Sequence, residues 1–285
     1  MPESRRATVG TSQARAPACL LALALAFMCL FLVLPLVTVF AEALHQGWRV
    51  YLSALRDPEL WDAGRLTLGL TLGTVALNVG FGLAAAWLLG KFDFPGRRVL
   101  VVLIELPFTV SPVVAGLMLM LVFGAHGWAG PWLMQRGIQV AFAWPGLLLA
   151  TSFVTFPFVV RELAPAFRAQ GREQEEAARI LGASGWQTFW RVSLPTAKWA
   201  LVYGAILCGA RAMGEFGAVS VVSGHIRRQT ITLPLQVEAL YNEYQYEAAF
   251  ACASLLCLTA LLAVGLKTWA GRRGPRSRWS FGIGP

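Results

Sequence analysis

The sequence predicts an all-α membrane protein whose chain crosses the bilayer six times. Of its 285 residues, 56% are hydrophobic and only 14% are charged, whereas a soluble domain carries about 25% charged residues. Six separate stretches reach the length of about 20 apolar residues that a helix needs to span a bilayer. Each stretch is apolar on all sides, which excludes the surface helices of a soluble bundle.

The six predicted spans form one transmembrane domain, residues 18–267, flanked by tails at residues 1–17 and 268–285. The first span is too long for a signal peptide and no A-x-A cleavage pattern follows it, so we expect it to be retained. Pro107 and Pro112 predict a kink in the third span. The predicted spans are Ala18–Phe40, Leu66–Gly90, Val99–Phe123, Pro145–Leu163, Trp199–Val222 and Glu247–Leu266.

The basic residues predict the orientation of the chain. Of 24 lysines and arginines, 17 fall in the tails and loops on one side, six fall on the other side, and Arg211 lies inside a span. Because basic loops stay in the cytoplasm, we expect both termini to be cytoplasmic. This arrangement also accounts for the net charge of +9, so nucleic acid is not expected as a partner.

Groups that would make the chain an enzyme or a metalloprotein are missing from the sequence. The five cysteines and three histidines have no metal-ligand spacing. No G-x4-GK[ST] phosphate-binding loop occurs, so ATP hydrolysis has to come from a separate subunit. We therefore expect no cofactor, metal or catalytic residue in this chain.

A short helix is predicted on the external side, over Thr232–Tyr244. Thr232 is a suitable N-cap and Pro234 suits the first turn. We expect the helix to lie at the membrane interface or to fold back against the spans, and we expect weaker helical character at Pro131–Trp144. The residues on its predicted apolar face are Leu233, Val237, Leu240 and Tyr244.

The third cytoplasmic segment, Ala164–Lys198, is far longer than a turn and predicts a projecting pair of helices. The first, Arg172–Leu181, is polar, and Gly182 is placed to end it in a left-handed conformation. Ser184 is placed to cap a second short helix, which Leu194–Pro195 is expected to end.

This segment is either a solvated loop or a docking element for a soluble partner. Trp186, Phe189 and Trp190 lie in the second short helix. Bulky apolar side chains are rare on a solvated loop, and aromatic residues are enriched at protein interfaces. The aromatic residues therefore favour docking.

The same segment resembles the EAA loop of binding-protein-dependent ABC permeases, the MetI-like family. Its spacing matches the pattern E-A-A-x3-G-x9-[I/V]-x-L-P throughout. The resemblance implies a MetI-like fold in which this loop forms coupling helices on two ATPase subunits, which hold ATP and Mg²⁺. The residues that carry the match are Glu176, Ala177, Ala178, Gly182, Leu194 and Pro195.

A second resemblance is to oxyanion permeases. Val110–Gly116 is similar to their Pro-rich motif, and Ala210–Ala218 matches their ARxxGEFGA signature. The following stretches, Val219–Arg227, Thr232–Leu235 and Leu240–Tyr244, are most similar to CysW-type subunits of sulfate and thiosulfate importers.

This resemblance implies an ATP-driven importer in the inner (plasma) membrane. Its partners would be a homologous CysT-type permease subunit, ATPase subunits, a periplasmic sulfate-binding protein and membrane lipid. Molybdate or tungstate remains an alternative substrate, because these oxyanions have the same shape and similar charge. A carrier or channel that works without ATP is the other alternative, against which the coupling motif argues.

Arg211 and Glu215 are charged residues in the middle of the fifth predicted span, where an unpaired charge is expensive. Their i, i+4 spacing allows them to form an ion pair. They would be a structural pair, line the translocation path, or contact the other subunit as a gate. Gly214 and Gly217 allow close helix approach or a break in the helix, and Ser111 of the third span is a candidate for the same path.

Overall fold

The computed structural model of the chain describes residues 15–273, which form a bundle of helices without any strand. Two π-helical segments, Cys29–Val33 and Phe189–Ser193, join their neighbouring helices without a break. The predicted tails lie mostly outside the described residues, although the last helix runs past Lys267. The α-helices are α1 (Arg15–Met28), α2 (Leu34–Leu44), α3 (Trp48–Leu55), α4 (Pro58–Lys91), α5 (Arg97–Thr109), α6 (Pro112–Phe123), α7 (Gly130–Gln135), α8 (Trp144–Ala169), α9 (Glu173–Ile180), α10 (Gly185–Thr188), α11 (Leu194–Met213), α12 (Gly217–Val222), α13 (Leu233–Asn242) and α14 (Tyr246–Arg273).

Within residues 15–273, five continuous segments are long and apolar enough to cross a membrane, and α5 with α6 supplies a sixth if this bent pair counts as one span. Spans two, four and six are longer than predicted, because the helices continue past the uninterrupted apolar stretches that the prediction used. The five continuous segments are Cys19–Leu44, Pro58–Lys91, Trp144–Ala169, Gly185–Met213 and Tyr246–Gly271.

The third span is not the continuous kinked helix that was predicted. Helices α5 and α6 meet at 110°, and Val110 and Ser111 between them both have extended ψ angles. The reason is local: a residue that precedes a proline is pushed out of the helical region, so Ser111 cannot continue the helix into Pro112. The break covers the two residues before the proline, and the pre-proline effect accounts for the second of them, Ser111.

The fifth span also differs from its prediction at both ends. The helix does not stop at Leu194–Pro195 but runs from Gly185 to Met213. The wider π turn, in which the Leu194 N–H bonds the Phe189 carbonyl, makes room for a proline ring that would otherwise clash with the preceding turn. At the far end, α11 stops at Met213 and a separate α12 begins at Gly217.

The core of the subunit lies between α4 and α8, with α11 packed against both. Glycines of α4 allow the two long helices to touch. A Cβ on Gly90 would lie 2.5 Å from Phe167 Cβ, and one on Gly82 would lie 2.9 Å from Val159 Cγ1. Both Phe167 and Val159 are fully buried, so these two glycines set the spacing of the central helix pair.

The predicted external helix is α13, and it folds back against α14 and α4. Leu233 and Leu240 are buried as predicted, whereas Tyr244 is exposed and Gln236 is buried. Thr232 is the N-cap residue of α13, as predicted, but its side chain makes no capping hydrogen bond, and its hydroxyl is buried without a hydrogen bond in the described residues. Instead the Leu233 N–H donates to Thr67 Oγ1 of α4 at 2.8 Å.

The weaker helical prediction at residues 131–144 is confirmed only in part. Helix α7 covers Gly130–Gln135, and the chain then leaves the helical conformation until α8 begins at Trp144. Gly137 has a φ of +73°, a conformation that favours glycine and ends α7.

We predict that Gly90→Ala destabilises the subunit by about 1–3 kcal/mol, because the added methyl group overpacks the contact between α4 and α8. Gly80→Ala on the same helix is the matched control, since a Cβ there has open space around it. It should be neutral or stabilise by up to about 1 kcal/mol. Thermal unfolding of the purified protein in detergent measures both, and equal stability of the two variants would contradict the prediction.

Candidate functional site

The projecting segment between α8 and α11 is a helix, a tight turn and a second helix, as predicted. Gly182 has a φ of +88°. Its N–H donates to the Arg179 carbonyl at 2.9 Å, and the Ala183 N–H donates to the Ala178 carbonyl at 3.0 Å. These two bonds form a Schellman motif, which closes α9 and uses glycine for the left-handed residue.

The turn leads directly into a capping box at the start of α10. The Gln187 N–H donates to Ser184 Oγ at 3.3 Å, and the Ser184 N–H donates to Gln187 Oε1 at 2.9 Å. Two amides at the helix start are thus satisfied by side chains. The turn is therefore fixed on both sides, which holds α9 and α10 in one arrangement.

The tip of this segment exposes apolar side chains. Ile180 and Leu181 are 86% and 88% exposed. Glu176 and Ala177 are exposed beside them on α9, and Ala178 is half-buried. Exposed apolar residues next to an acidic group form a surface suited to a protein partner.

The three aromatic residues of the segment have different environments. Trp186 is 71% exposed and Trp190 is 48% exposed, which leaves both available for contact. Phe189 is buried, with its ring centroid 5.0 Å from that of Trp87 on α4. The expectation that Phe189 contacts a partner is therefore wrong, because it packs against its own subunit.

Leu194 and Pro195 lie at the start of α11 rather than at the tip of the segment. Leu194 is half-buried and Pro195 is exposed. They connect the π segment to the transmembrane part of the helix.

A buried ion pair that the sequence analysis did not identify joins the segment to the spans. Lys91, the last residue of α4, places its Nζ 3.0 Å from Glu175 Oε1. The Lys91 side chain is only 5% exposed. The Ser193 hydroxyl donates to the same Glu175 oxygen at 2.5 Å. A lysine at the end of a predicted span gives no local signal that its partner lies in a distant loop.

The predicted pair of Arg211 and Glu215 is confirmed, at a different place in the span. Arg211 Nη1 lies 2.7 Å from Glu215 Oε2, an ionic contact without the alignment of a hydrogen bond. Glu215 Oε1 accepts a hydrogen bond from the Ala218 N–H at 3.1 Å. The Glu215 side chain is 1% exposed and that of Arg211 is 36% exposed. The pair therefore lies at the break between α11 and α12, with the carboxylate inside and the guanidinium partly open.

The breaks in the third and fifth spans lie side by side, because α6 packs against α12. A Cβ on Gly217 would lie 3.0 Å from Pro112 Cβ, and one on Gly116 would lie 2.8 Å from the Ala218 carbonyl oxygen. Ser111 precedes Pro112 and is exposed at this point. Gly214 is also exposed, with open space where a Cβ would stand. The candidate path residues are thus brought to one region of the subunit.

Ion pairs at the opposite end of the bundle fix the loop between α12 and α13. Arg227 bonds Glu59 at 2.9 Å and also bonds Glu243. The bond to Glu243, then the charge of Glu59, raises the pKa of Arg227. Arg228 Nε lies 3.1 Å from Asp62 Oδ2. Within residues 15–273, no group of His, Cys, Asp or Glu side chains is placed to hold a metal ion.

We predict that Gly182→Ala loosens the end of α9, because a non-glycine residue in the left-handed conformation costs about 1–2 kcal/mol. The expected result is faster amide hydrogen exchange over Glu173–Ala183. Gly185→Ala, in the first turn of α10, is the control and should leave exchange unchanged. Gly182→Asn should restore most of the protection, since asparagine tolerates this conformation. Equal exchange in the two alanine variants would contradict the prediction.

Comparison with known proteins places this architecture in a family. Residues 78–273 match the family model described as "Binding-protein-dependent transport system inner membrane component". The chain is 51% identical over 248 residues to the sulfate transport system permease protein CysW of Synechocystis sp., covering 87% of this chain and 90% of that protein. It is 38% identical over 253 residues to the sulfate transport system permease protein CysT of Escherichia coli, covering 88% and 91% respectively.

The fold has a counterpart among solved structures. A bacterial ABC transporter involved in the import of the acidic polysaccharide alginate superposes with a TM-score of 0.72 at 16% identity, covering 91% of this chain and 95% of its own. At that identity the likeness concerns the fold, and the sequence relatives identify the branch. The chain therefore belongs to the binding-protein-dependent transport system inner membrane components, as a membrane-spanning permease subunit of the CysW type.

Proposed function

We propose that the chain is a permease subunit of an ATP-driven importer that carries sulfate or thiosulfate across the inner membrane. The observation that carries this proposal is the 51% identity to a CysW sulfate permease along nearly its whole length. The lower identity to a CysT protein, 38%, supports the CysW position within a two-permease importer. A homologous CysT-type subunit is then the second half of the membrane domain.

Two ATPase subunits and a periplasmic sulfate-binding protein complete the proposed importer. The ATPase subunits supply ATP and Mg²⁺ binding, for which this sequence has no phosphate-binding loop. The exposed tip of α9 and α10, with Ile180, Leu181 and Trp186 bare, supports docking of an ATPase at this point. The excess of basic residues on the same side supports a cytoplasmic position for the segment and for both termini.

A single continuous helix supports a mechanical connection between the docking segment and the break in the fifth span. The segment from Gly185 to Met213 has 29 residues, which corresponds to about 43 Å at 1.5 Å per residue. Trp186 lies at the first end of this helix, in the docking segment, and Arg211 lies in its last turn. Movement of the tip, driven by closure of the ATPase dimer, would thus reach the break and bias the spans between outward-facing and inward-facing states.

We assign Arg211 to the anion path and Glu215 to its support. Glu215 is buried and bonded to the Ala218 amide, so its role is to hold α12 and to orient the arginine. Arg211 is partly open and offers guanidinium donors to a tetrahedral dianion. The nearby Glu215 charge limits how tightly the anion binds, which allows release. Ser111, at the neighbouring break, is a second donor for the same path.

We predict that Glu176→Lys abolishes coupling. The assay is sulfate uptake into proteoliposomes that contain the complete complex, with binding protein and ATP. Uptake should fall at least about tenfold, since reversing a charge at a docking interface weakens the free energy of docking by more than about 1.4 kcal/mol. Glu42→Lys is the control, because Glu42 is exposed at the far end of the first span and undergoes the same charge change.

Three outcomes would overturn parts of this proposal. Normal uptake by Glu176→Lys would remove the coupling role of the segment. Uptake of molybdate but not sulfate by the native complex would leave the architecture intact and replace the substrate. Uptake that persists without the ATPase subunits would replace the importer with a carrier or channel.

We predict that Arg211→Met lowers sulfate uptake at least about tenfold, because the path loses its cationic donor. The binding free energy of the anion is then weaker by about 1.4 kcal/mol or more. Stimulation of ATP hydrolysis by the binding protein should persist, since the coupling segment is unchanged. Arg211→Lys should retain part of the uptake. Unchanged uptake by Arg211→Met in an intact complex would exclude the path role and leave the arginine as a structural partner of Glu215.

A further inference from the structure

Helix α9 is held in place by polar contacts rather than by a hydrophobic face. It is eight residues long and contains no buried residue. A helix of this length is not stable alone and normally relies on packing of an apolar stripe. What fixes α9 must therefore be the contacts made by its polar side chains and by the residues just before it.

The strongest of these contacts is the buried pair formed by Lys91 and Glu175. Lys91 Nζ donates to the Gly171 carbonyl at 2.6 Å and lies 3.0 Å from Glu175 Oε1. The two side chains are 5% and 15% exposed. An ammonium group removed from water needs partners of this kind, because an unpaired buried charge is strongly unfavourable. The lysine thus ties the end of α4 to the first turn of α9.

The same carboxylate also reaches the fifth span. Ser193 Oγ donates to Glu175 Oε1 at 2.5 Å, and Ser193 is the last residue of the π segment that leads into α11. One oxygen atom of Glu175 therefore receives a bond from α4 and a bond from the start of α11. Helix α4, which is distant in sequence, and the π segment before α11 thus both contact α9 at this atom.

Two further hydrogen bonds run parallel to this contact. Arg172 Nη2 donates to the Lys91 carbonyl at 3.0 Å, and Gln170 Nε2 donates to the Ser193 carbonyl at 3.0 Å. Both donors belong to the short connection between α8 and α9. Displacement of α9 from either span would break several charged or neutral hydrogen bonds at once, so α9 moves together with α4 and α11.

We propose that Lys91 and Glu175 are positioning residues that transmit movement of α9 to the second and fifth spans. This proposal rests on the proposed coupling function, to which it adds a second route beside the continuous helix from Gly185 to Met213. Neither residue contacts the transported anion or ATP in this scheme. Their role is to keep a docking helix that has no core of its own rigidly joined to the membrane domain.

The test uses the complete importer in proteoliposomes and measures ATP hydrolysis and sulfate uptake in the same sample. Lys91→Met should leave the rate of ATP hydrolysis within about twofold of native. The number of ATP molecules hydrolysed per ion transported should rise at least about fivefold, which is the smallest factor typical of two coupled sites. Arg98→Met is the matched control, because Arg98 is exposed near the same membrane end and lies outside the docking segment. It should keep the native ratio.

A double variant separates positioning from folding. Lys91→Met with Glu175→Leu removes both charges, and replacing a buried ion pair by apolar residues usually preserves stability. We expect this variant to assemble as native and to remain uncoupled, since methionine and leucine cannot bond Ser193 or Gly171. A native ratio in the double variant, or a parallel fall of uptake and hydrolysis in Lys91→Met, would overturn the proposal.

Amide hydrogen exchange gives a readout that does not depend on the transported ion. Exchange over Glu173–Ile180 should be faster in Lys91→Met than in Arg98→Met, and equal rates would overturn the proposal. If the native complex takes up no sulfate, the proposed function fails. The exchange comparison still decides whether the ion pair of Lys91 and Glu175 holds α9 in place.

Discussion

A helix that stops inside a membrane leaves its last carbonyls and the next amides without partners, and hydrocarbon cannot supply any. Among residues 15–273, two helices stop within candidate spans in this way, after Thr109 and after Met213. Glu215 meets part of the requirement at the second stop by accepting the Ala218 N–H. The packing of α6 on α12 follows from the same constraint, because broken backbone is tolerated where it is covered by protein or lines a cavity. Both α6 and α12 also contact α8, which connects the paired breaks to the core between α4 and α8.

The proposed docking segment and the break in the fifth span are joined by one continuous helix. The helix that begins at Gly185 passes through the π segment and ends beside Arg211, so the tip and the break cannot move independently. Helix α4 offers a second path, because its last residue, Lys91, is bonded to α9 and its body packs on α8. The tight glycine contacts at Gly82 and Gly90 make α4 and α8 one rigid unit. Rigid connections of this kind allow a small shift at the tip to reach the middle of the membrane.

The sequence predicted well what depends on local chemistry or on bilayer thickness. The spans followed from length and composition, and Gly182 and Ser184 followed from the steric and hydrogen-bond needs of helix ends. A kink at Pro112 was predicted in the third span, and Gly214 and Gly217 were recognised as allowing a break in the fifth. Proline and glycine mark such weak points without giving the angle, which tertiary packing decides. The pair of Lys91 and Glu175 was missed. Contacts between residues distant in sequence have no periodic signal in a single chain, and the burial of Phe189 against Trp87 is of the same kind.

The exposed surface of the isolated subunit divides by chemistry into faces suited to lipid and faces suited to protein. Leu20 and Phe31 of the first span are 68% and 63% exposed, and no charged residue interrupts that apolar run up to Thr38. Helix α5 also exposes apolar side chains, but Glu105 is exposed among them, and Arg161 of α8 lies over the ring of Phe108 at 5.8 Å. A carboxylate and a guanidinium are expensive in contact with acyl chains. The face of α5 and α8 therefore favours contact with protein or water, and the first span favours lipid.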